Sequence, residues 1–178
     1  MKWRKILFGI SLLFPISAHA EVDVYFTPSL DCENKIIKLI NNSSKIDIAV
    51  YAINNKEIVT AIKNAKKRKA EIRILTDRLQ ASNKSSAVKH LHKNGLNIKV
   101  HSKYRIEHNK FAIFNDQTVV TGSYNWTNPA SHHNSENCVF ISDEKTAVEK
   151  YQNRFNHLWQ INSSDKSLAW FSKQPLAF

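Results

Sequence analysis

Short segments of the chain alternate between apolar and polar residues, a period of two that is typical of β-strands with one buried face. In the first of them Val22, Val24 and Phe26 alternate with polar partners and are expected to form the buried face. Further strands are predicted at Ile46–Val50, Glu71–Thr76, Asn97–His101, Lys110–Phe114, Thr118–Thr121 and Asn137–Ile141. The run Asn115-Asp116-Gln117 predicts a tight turn between two of them.

Between these strands the apolar residues recur at the spacing of an amphipathic helix. Helices are predicted from Asp31 onward, near Asn55–Lys69, over Asn83–Asn94 before the stop signal Gly95, and near Asp143–Ile161. Strands that alternate with helices indicate an α/β fold in which helices flank a mixed β-sheet. We therefore expect one domain over residues 21–162. A C-terminal tail over residues 163–178 either packs on that domain or frays.

The first twenty residues differ from the rest of the chain. Three basic residues precede an apolar run over residues 6–16, and Ala18-His19-Ala20 has the small-x-small pattern of a cleavage site. This order is typical of a secretory signal peptide, so we expect residues 1–20 to be removed and the protein to be periplasmic or secreted. The apolar run is shorter than a membrane-spanning helix and contains Pro15, so no stable membrane insertion is expected after cleavage.

The charge of the chain narrows the class of partner. There are 26 Lys and Arg residues against 15 Asp and Glu, a net charge of +11, and +8 without the three basic residues of the leader. This excess attracts polyanions, either nucleic acid or an anionic membrane, and is also compatible with a basic protein that has no such partner. Residues 63–69 hold four lysines and one arginine. Cations at a predicted helix end also stabilise the helix dipole, so this run does not by itself identify an interface.

The chain has two cysteines, Cys32 and Cys138. Export would place them in an oxidising compartment, where two cysteines can form a disulfide. Cys138 lies in an apolar run and is better explained as a buried small residue. Nothing in the sequence brings the two together, so the disulfide stays open.

Candidate chemistry is concentrated between residues 108 and 136. His108 and Lys110 are two residues apart on one predicted strand, so their side chains are expected on the same face. Ser123 and Asn125 repeat this spacing after the next strand, and Glu136 precedes the third. Imidazole can act as nucleophile or general acid, while Lys and Asn stabilise charge on phosphate oxygens and a carboxylate can orient a histidine. Each residue alone is uninformative, but together they indicate phosphoryl-transfer chemistry.

These residues resemble the motif of the phospholipase D superfamily. The matching stretches are His108-Asn109-Lys110, Gly122-Ser123-Tyr124-Asn125-Trp126 and Asn134-Ser135-Glu136-Asn137. The chain looks similar to the small bacterial endonucleases of this superfamily that carry one motif per chain. The resemblance implies a phospholipase D-like layered fold with residues 21–162 as the catalytic domain. It also implies a phosphodiesterase that hydrolyses DNA or RNA non-specifically through a phosphohistidine, with no metal and no cofactor.

The resemblance also assigns roles to the five candidate residues. His108 would be the nucleophile in one subunit and the leaving-group acid in the other, because a chain with one motif supplies two histidines only as a homodimer. Lys110 and Asn125 would bind the phosphate of the nucleic acid, with Ser123 supporting them. Glu136 would accept a hydrogen bond from His108 and orient it.

One position departs from the family motif, which usually has Asp five residues after the lysine. This chain has Asn115 there and Asp116 one residue later. Either a shift in the turn lets Asp116 take the role, or the position is structural and Asn115 suffices. The nearby pair His132-His133 lacks further ligands at metal-binding spacing and is interpreted as solvated loop residues.

Two other functions use the same residues. A lipid phosphodiesterase would need an exposed apolar surface to bind a membrane, for which Trp170-Phe171 is the only candidate in the sequence. A non-catalytic nucleic-acid-binding module would have lost part of the site, and the complete set of five residues argues against it.

Overall fold

The computed structural model describes residues 20–174, so residues 1–19 of the predicted signal peptide lie outside the described part of the chain. Seven strands form one sheet in the order β1-β7-β6-β5-β2-β3-β4. They are β1 (Glu21–Phe26), β2 (Lys45–Val50), β3 (Glu71–Asp77), β4 (Asn97–His101), β5 (Lys110–Phe114), β6 (Thr118–Gly122) and β7 (Asn137–Ser142). The pairs β2–β3 and β3–β4 are parallel and the others antiparallel, which confirms the predicted mixed sheet.

Helices cover both faces of the sheet. They are α1 (Asp31–Asn42), α2 (Lys56–Lys67), α3 (Arg78–Ser82), α4 (Val88–Lys93), α5 (Asn128–His132), α6 (Lys145–Ile161) and α7 (Ser164–Ser172). The larger apolar core lies on one face beneath α1, α2, α4 and α7. On the other face α6 packs across β2, β5 and β6. The buried β5 thus carries the start of the motif between two layers of helix.

The predicted helix over Asn83–Asn94 is wrong in its first half. The chain instead forms α3 and α4 with an irregular segment between them. Asp77 is the N-cap of α3 because its Oδ1 accepts from the backbone N–H groups of Leu79 and Gln80, at 2.9 and 3.0 Å. Gly95 follows α4 with a φ of +76°, as expected of a helix stop signal.

Strand β1 also differs from the prediction. Val22, Val24 and Phe26 were expected to face a core, but their side chains are 59%, 48% and 67% exposed. Tyr25, on the opposite face of the strand, packs against the larger core instead. The reason is position, because β1 is an edge strand and the main contacts of α6 with the sheet are to β2, β5 and β6.

Cys32 and Cys138 form a disulfide that joins α1 to β7. Both residues are fully buried, as expected for Cys138, and the disulfide that the sequence left open is formed. Periodicity placed each cysteine correctly on its own element, but the contact between α1 and β7 depends on the pairing of β1 with β7.

The tail packs on the domain as far as it is described. Residues 164–172 form α7, and Trp170 and Phe171 pack against the larger core. Val100 in β4 donates its backbone N–H to the Ser167 hydroxyl at 3.1 Å. The predicted boundary at residue 162 therefore separates two helices of one packed unit.

Candidate active site

The segments that carry the five candidate residues meet at one end of the strands, where β5 and β7 begin and β6 ends. Strand β6 is antiparallel to both β5 and β7, so the residues before β5, after β6 and before β7 are neighbours. His108 and Lys110 lie at the start of β5, Ser123 and Asn125 follow β6, and Glu136 precedes β7. The predicted convergence of three strand ends is therefore present in the fold.

His108 and Lys110 are placed differently with respect to solvent. The imidazole of His108 is exposed, whereas Lys110 is only 9% exposed. The Nζ of Lys110 donates to the carbonyl oxygen of His108 at 2.8 Å and lies 5.0 Å from the centre of the Tyr51 ring. The His108 ring packs against the same tyrosine at a centroid distance of 4.5 Å. An accessible imidazole thus stands beside a largely buried ammonium group.

Burial lowers the pKa of the Lys110 ammonium from its usual 10.5, while the carboxylates of Glu136 and Glu107 act in the opposite direction. A buried ammonium has lost much of its hydration, and its attraction to an anion is weakly screened. Lys110 is therefore suited to hold a phosphate oxygen next to the exposed His108.

Ser123 joins the end of β6 to the start of β7. Its hydroxyl accepts from the backbone N–H of Asn137 at 3.0 Å. The preceding Gly122 has a φ of +144°, and a Cβ added there would lie 2.3 Å from the carbonyl oxygen of Asn137. Only glycine permits this approach, so Gly122 lets the backbone after β6 fold across the start of β7.

Asn125 has a side-chain oxygen that is buried and has no hydrogen-bond partner among residues 20–174. The next residue, Trp126, is 1% exposed. Its backbone donates to the carbonyl oxygen of Ala52 and accepts from Asn54 and Asn55, at distances of 2.9 to 3.2 Å. Trp126 thus fixes the backbone next to Asn125.

Glu136 bonds differently from the expectation. Its Oε1 accepts from Nδ2 of Asn134 at 3.0 Å, and within residues 20–174 no hydrogen bond joins it to His108. Its backbone is fixed by Thr27, whose Oγ1 accepts from the Glu136 N–H at 2.9 Å. Glu136 nevertheless lies close enough to Lys110 to influence its pKa.

Asn115 lies at the opposite end of β5 from His108, about 16 Å from Lys110 along the strand. Its Oδ1 accepts from the backbone N–H groups of Ser44 and Lys45 at 2.9 and 3.2 Å. Asp116 forms an ion pair with the Lys45 side chain at 2.8 Å. The motif position five residues after the lysine is therefore structural, and Asn115, not Asp116, occupies it.

Other parts of the sequence do not join this site. His132 and His133 are exposed, and within residues 20–174 no group of three or more His, Cys, Asp or Glu side chains could hold a metal ion. The basic run at residues 63–69 is at the end of α2 remote from Asn55, the N-cap that contacts Trp126. The helix-dipole interpretation accounts for it. Between residues 20 and 174 no helix is both long enough and apolar enough to span a bilayer.

Sequence reasoning missed the buried residues that hydrogen-bond to the motif and fix its backbone. Glu107 is 1% exposed, and its Oε1 accepts from the backbone N–H and the side-chain Nδ2 of Asn109, at 3.2 and 2.5 Å. Asp77 accepts from the Glu107 N–H at 3.1 Å. An acidic residue directly before His108 was the available signal, but its burial depends on the packing of β3 against β4.

The site thus consists of one histidine–lysine pair at the start of β5, with serine, asparagine and glutamate at the neighbouring strand ends. This set defines a phosphodiesterase of the phospholipase D type. The family model described as "Cardiolipin synthase, PLD-like domain" matches residues 36–159, and the chain belongs to this family. It is a hydrolase of the phospholipase D superfamily.

Individual relatives agree with this assignment. A phospholipase D of Rickettsia prowazekii is 32% identical over 147 residues, which are 82% of this chain and 72% of that protein. A mitochondrial cardiolipin hydrolase of Chlamydomonas reinhardtii is 29% identical over 65% of this chain and 52% of its own length. The crystal structure of the phospholipase D family member Nuc from Salmonella typhimurium superimposes with a TM-score of 0.77 at 26% identity, covering 82% of this chain and 97% of Nuc.

Proposed function

We propose that this protein is an exported, metal-independent nuclease that hydrolyses DNA or RNA without sequence preference. The observation that carries the proposal is the exposed His108 imidazole beside the largely buried Lys110 ammonium. That arrangement offers a nucleophile and a phosphate-binding cation with no requirement for a metal.

The proposed reaction has two steps. A nitrogen of His108 attacks phosphorus, the bond from phosphorus to the leaving oxygen breaks, and a second histidine protonates that oxygen. Water then attacks the phosphohistidine while the second histidine accepts a proton from it, which releases a phosphate monoester and restores His108. Lys110 and Asn125 stabilise the charge on the non-reacting phosphate oxygens in both steps.

Charge near the site supports a polyanionic substrate. Lys103 and Arg105 are exposed on the segment between β4 and His108, and Arg78 is exposed at the start of α3. Asp77 joins these two segments, because its carboxylate accepts from both Leu79 and Glu107. A chain with a net charge of +8 after removal of the leader would thus present cations next to the reacting phosphate.

A lipid phosphodiesterase is the second candidate, and a specific observation favours it. Leu79, Tyr104 and Ile106 are 61%, 47% and 45% exposed on the same two segments that carry the cations. Relatives named phospholipase D and cardiolipin hydrolase are consistent with it. The earlier candidate, Trp170-Phe171, is half-buried against the core and does not offer a free apolar surface.

Incubation of the purified protein with plasmid DNA, RNA and vesicles of anionic phospholipid, each with and without EDTA, tests the proposal. We expect cleavage of nucleic acid that EDTA leaves unchanged and that His108→Ala abolishes. Binding to a catalytically inactive variant should weaken log-linearly with salt, as counterion release requires. Hydrolysis of phospholipid alone would establish the second candidate, and loss of all cleavage in EDTA would contradict the mechanism.

The proposed enzyme is a homodimer, because one chain holds one histidine–lysine pair and the reaction uses two histidines. The exposed face of β1 supplies a suitable surface. Val22 and Val24 pair in register with Ile141 and Val139 of β7, so these side chains form a continuous apolar face, on which Val22 and Val24 are exposed. Phe26 ends this face opposite Asn137, next to Glu136. A two-fold contact there would bring two copies of the site toward each other.

Two measurements test the dimer. Val24→Lys should give a monomer in sedimentation and abolish hydrolysis, whereas Leu168→Lys, at an equally exposed apolar position on α7, should change neither. Wild-type chains mixed with excess His108→Ala chains should lose activity as the square of the wild-type fraction. A linear loss, or an active monomer, would rule out a site shared by two subunits.

A further inference from the structure

Tyr51 contacts both residues of the histidine–lysine pair. It follows β2 directly and is half-buried at the edge of the sheet that carries the site. Its ring meets the His108 imidazole at an interplanar angle of 63° and a centroid distance of 4.5 Å. The Lys110 ammonium lies 5.0 Å from the ring centre. One aromatic side chain therefore limits the positions of the nucleophile and of the phosphate-binding cation.

The protein holds Tyr51 at both ends. Its hydroxyl accepts from Nε2 of Gln80 at 2.7 Å. Its backbone N–H donates to the carbonyl oxygen of Asn109 at 2.9 Å, and its carbonyl oxygen accepts from the Thr76 hydroxyl at 3.3 Å. The backbone bond to Asn109 attaches the tyrosine to the residue that separates His108 from Lys110, so the ring and the pair cannot move independently.

One buried carboxylate joins the supports of the ring to those of the motif. Asp77 is 3% exposed, and its Oδ1 accepts from the backbone N–H of Gln80, the residue that holds the Tyr51 hydroxyl. Its Oδ2 accepts from the N–H of Glu107, whose side chain in turn holds Asn109. The contacts form a closed frame of Asp77, Gln80, Tyr51, Asn109 and Glu107. Two of its members, Asp77 and Glu107, are buried carboxylates, and hydrogen bonds of buried charged groups hold their partners rigidly.

We propose that Tyr51 is a positioning residue that fixes the His108 imidazole against its ring edge and holds the Lys110 ammonium over its face. The inference rests on the proposed roles of His108 and Lys110. An ammonium held by an aromatic face keeps its charge while it loses water, and phosphate can then meet it without reorganisation. An imidazole packed on a ring samples fewer rotamers, which favours the attacking orientation.

Tyr51→Leu removes the aromatic ring with little change in volume. We expect kcat on a small chromogenic phosphodiester to fall about ten- to a hundredfold, and the affinity for inorganic phosphate to fall severalfold. Tyr51→Phe retains the ring and should stay within about threefold of wild type. Gln80→Leu should match Tyr51→Phe, and the double variant should add nothing, because both changes remove the same hydrogen bond.

Tyr151→Leu is the matched control. Tyr151 is also half-buried and packs on Phe111, at a centroid distance of 5.0 Å, but it lies in α6 on the other face of the sheet. Both leucine variants should lose similar thermal stability, whereas only Tyr51→Leu should lose turnover and phosphate affinity. Tyr51→Leu within threefold of wild type in both would overturn the inference and leave the proposed function intact. Phosphate binding that depends on Tyr51 in a protein that cleaves no phosphodiester would support the inference and refute the proposed function.

Discussion

At the scale of single residues, Asn115 performs a structural task for which the family motif uses a carboxylate. Its side-chain oxygen accepts from two successive backbone N–H groups, those of Ser44 and Lys45. Its φ of +51° is one that asparagine tolerates better than most residues. An amide can replace a carboxylate here because both supply an acceptor oxygen, and the position lies at the opposite end of β5 from His108.

Replacement of Asn115 should therefore lower stability and leave the chemistry unchanged. Asn115→Gly tolerates the backbone angle and loses the hydrogen bonds, which should lower the free energy of unfolding by about 1–2 kcal/mol. Asn115→Ala adds backbone strain of about 1 kcal/mol. Urea unfolding measures both, and kcat of the folded variants should equal that of wild type. Asp116→Asn, which breaks an exposed ion pair, is the control and should cost less than about 1 kcal/mol. A large loss of kcat in Asn115→Gly would mean that the turn contributes to the reaction.

His101 links stability to pH. It is 2% exposed, and burial lowers its pKa from the usual 6.5, although Glu107 and Asp77 oppose the shift. As pH falls through 6.5 the unfolded chain binds a proton that the folded chain does not, so the free energy of unfolding should decrease. His101→Asn should reduce this slope between pH 7.5 and the folded pKa, as measured by urea unfolding at several pH values. An unchanged slope in His101→Asn would refute the assignment.

The five candidate site residues could be chosen from the sequence because their chemistry is rare in combination. Their supports could not. Tyr51 and Asp77 lie 57 and 31 positions before His108 and meet the motif only through sheet pairing. The predicted bond between Glu136 and His108 failed for a similar reason, since local contacts with Asn134 and Thr27 determine where that carboxylate lies.

At the scale of elements, strands were easier to predict than helices. The predicted bounds of β5 are those observed, because five consecutive buried residues leave a strand between two helical layers little freedom. Only the first half of the predicted helix over Asn83–Asn94 is wrong, because side-chain capping by Asp77 begins a helix earlier than the apolar period indicates. The inward face predicted for β1 was wrong because an alternating pattern does not specify which face is covered.

The junction of β6 and β7 allows a test of one element contact. Gly122→Ala places a Cβ 2.3 Å from the carbonyl oxygen of Asn137 and should push the strands apart. We expect a loss of about 2–4 kcal/mol in the free energy of unfolding, and a lower kcat in the folded fraction because Ser123 and Asn125 shift. Gly95→Ala has open space around it and should cost about 1 kcal/mol with full activity. Equal effects of the two changes would show that backbone angle, and not the close contact, matters at Gly122.

At the scale of the whole molecule, the disulfide closes most of the chain into a loop. Cys32 and Cys138 are 106 residues apart. In the chain-entropy model a bond of this span stabilises the folded state by about 4–5 kcal/mol, because it restricts the unfolded chain. Dithiothreitol should lower the urea midpoint of the wild type accordingly. The double variant Cys32→Ala, Cys138→Ala should start at the lower midpoint and not respond to dithiothreitol. A wild-type midpoint that reduction leaves unchanged would contradict this account.

The position of β1 at one end of the sheet also affects the order in which the strands can pair during synthesis. During synthesis β1 emerges long before β7, its partner, because β2 through β6 lie between them in the chain. A strand whose ladder forms only with a late partner spends the interval with its backbone donors and acceptors unpaired. Contacts of such long sequence separation form slowly, and unpaired apolar edges are prone to aggregate. The earliest strand to be made is thus among the last to be protected, and the nascent protein is most vulnerable at that edge.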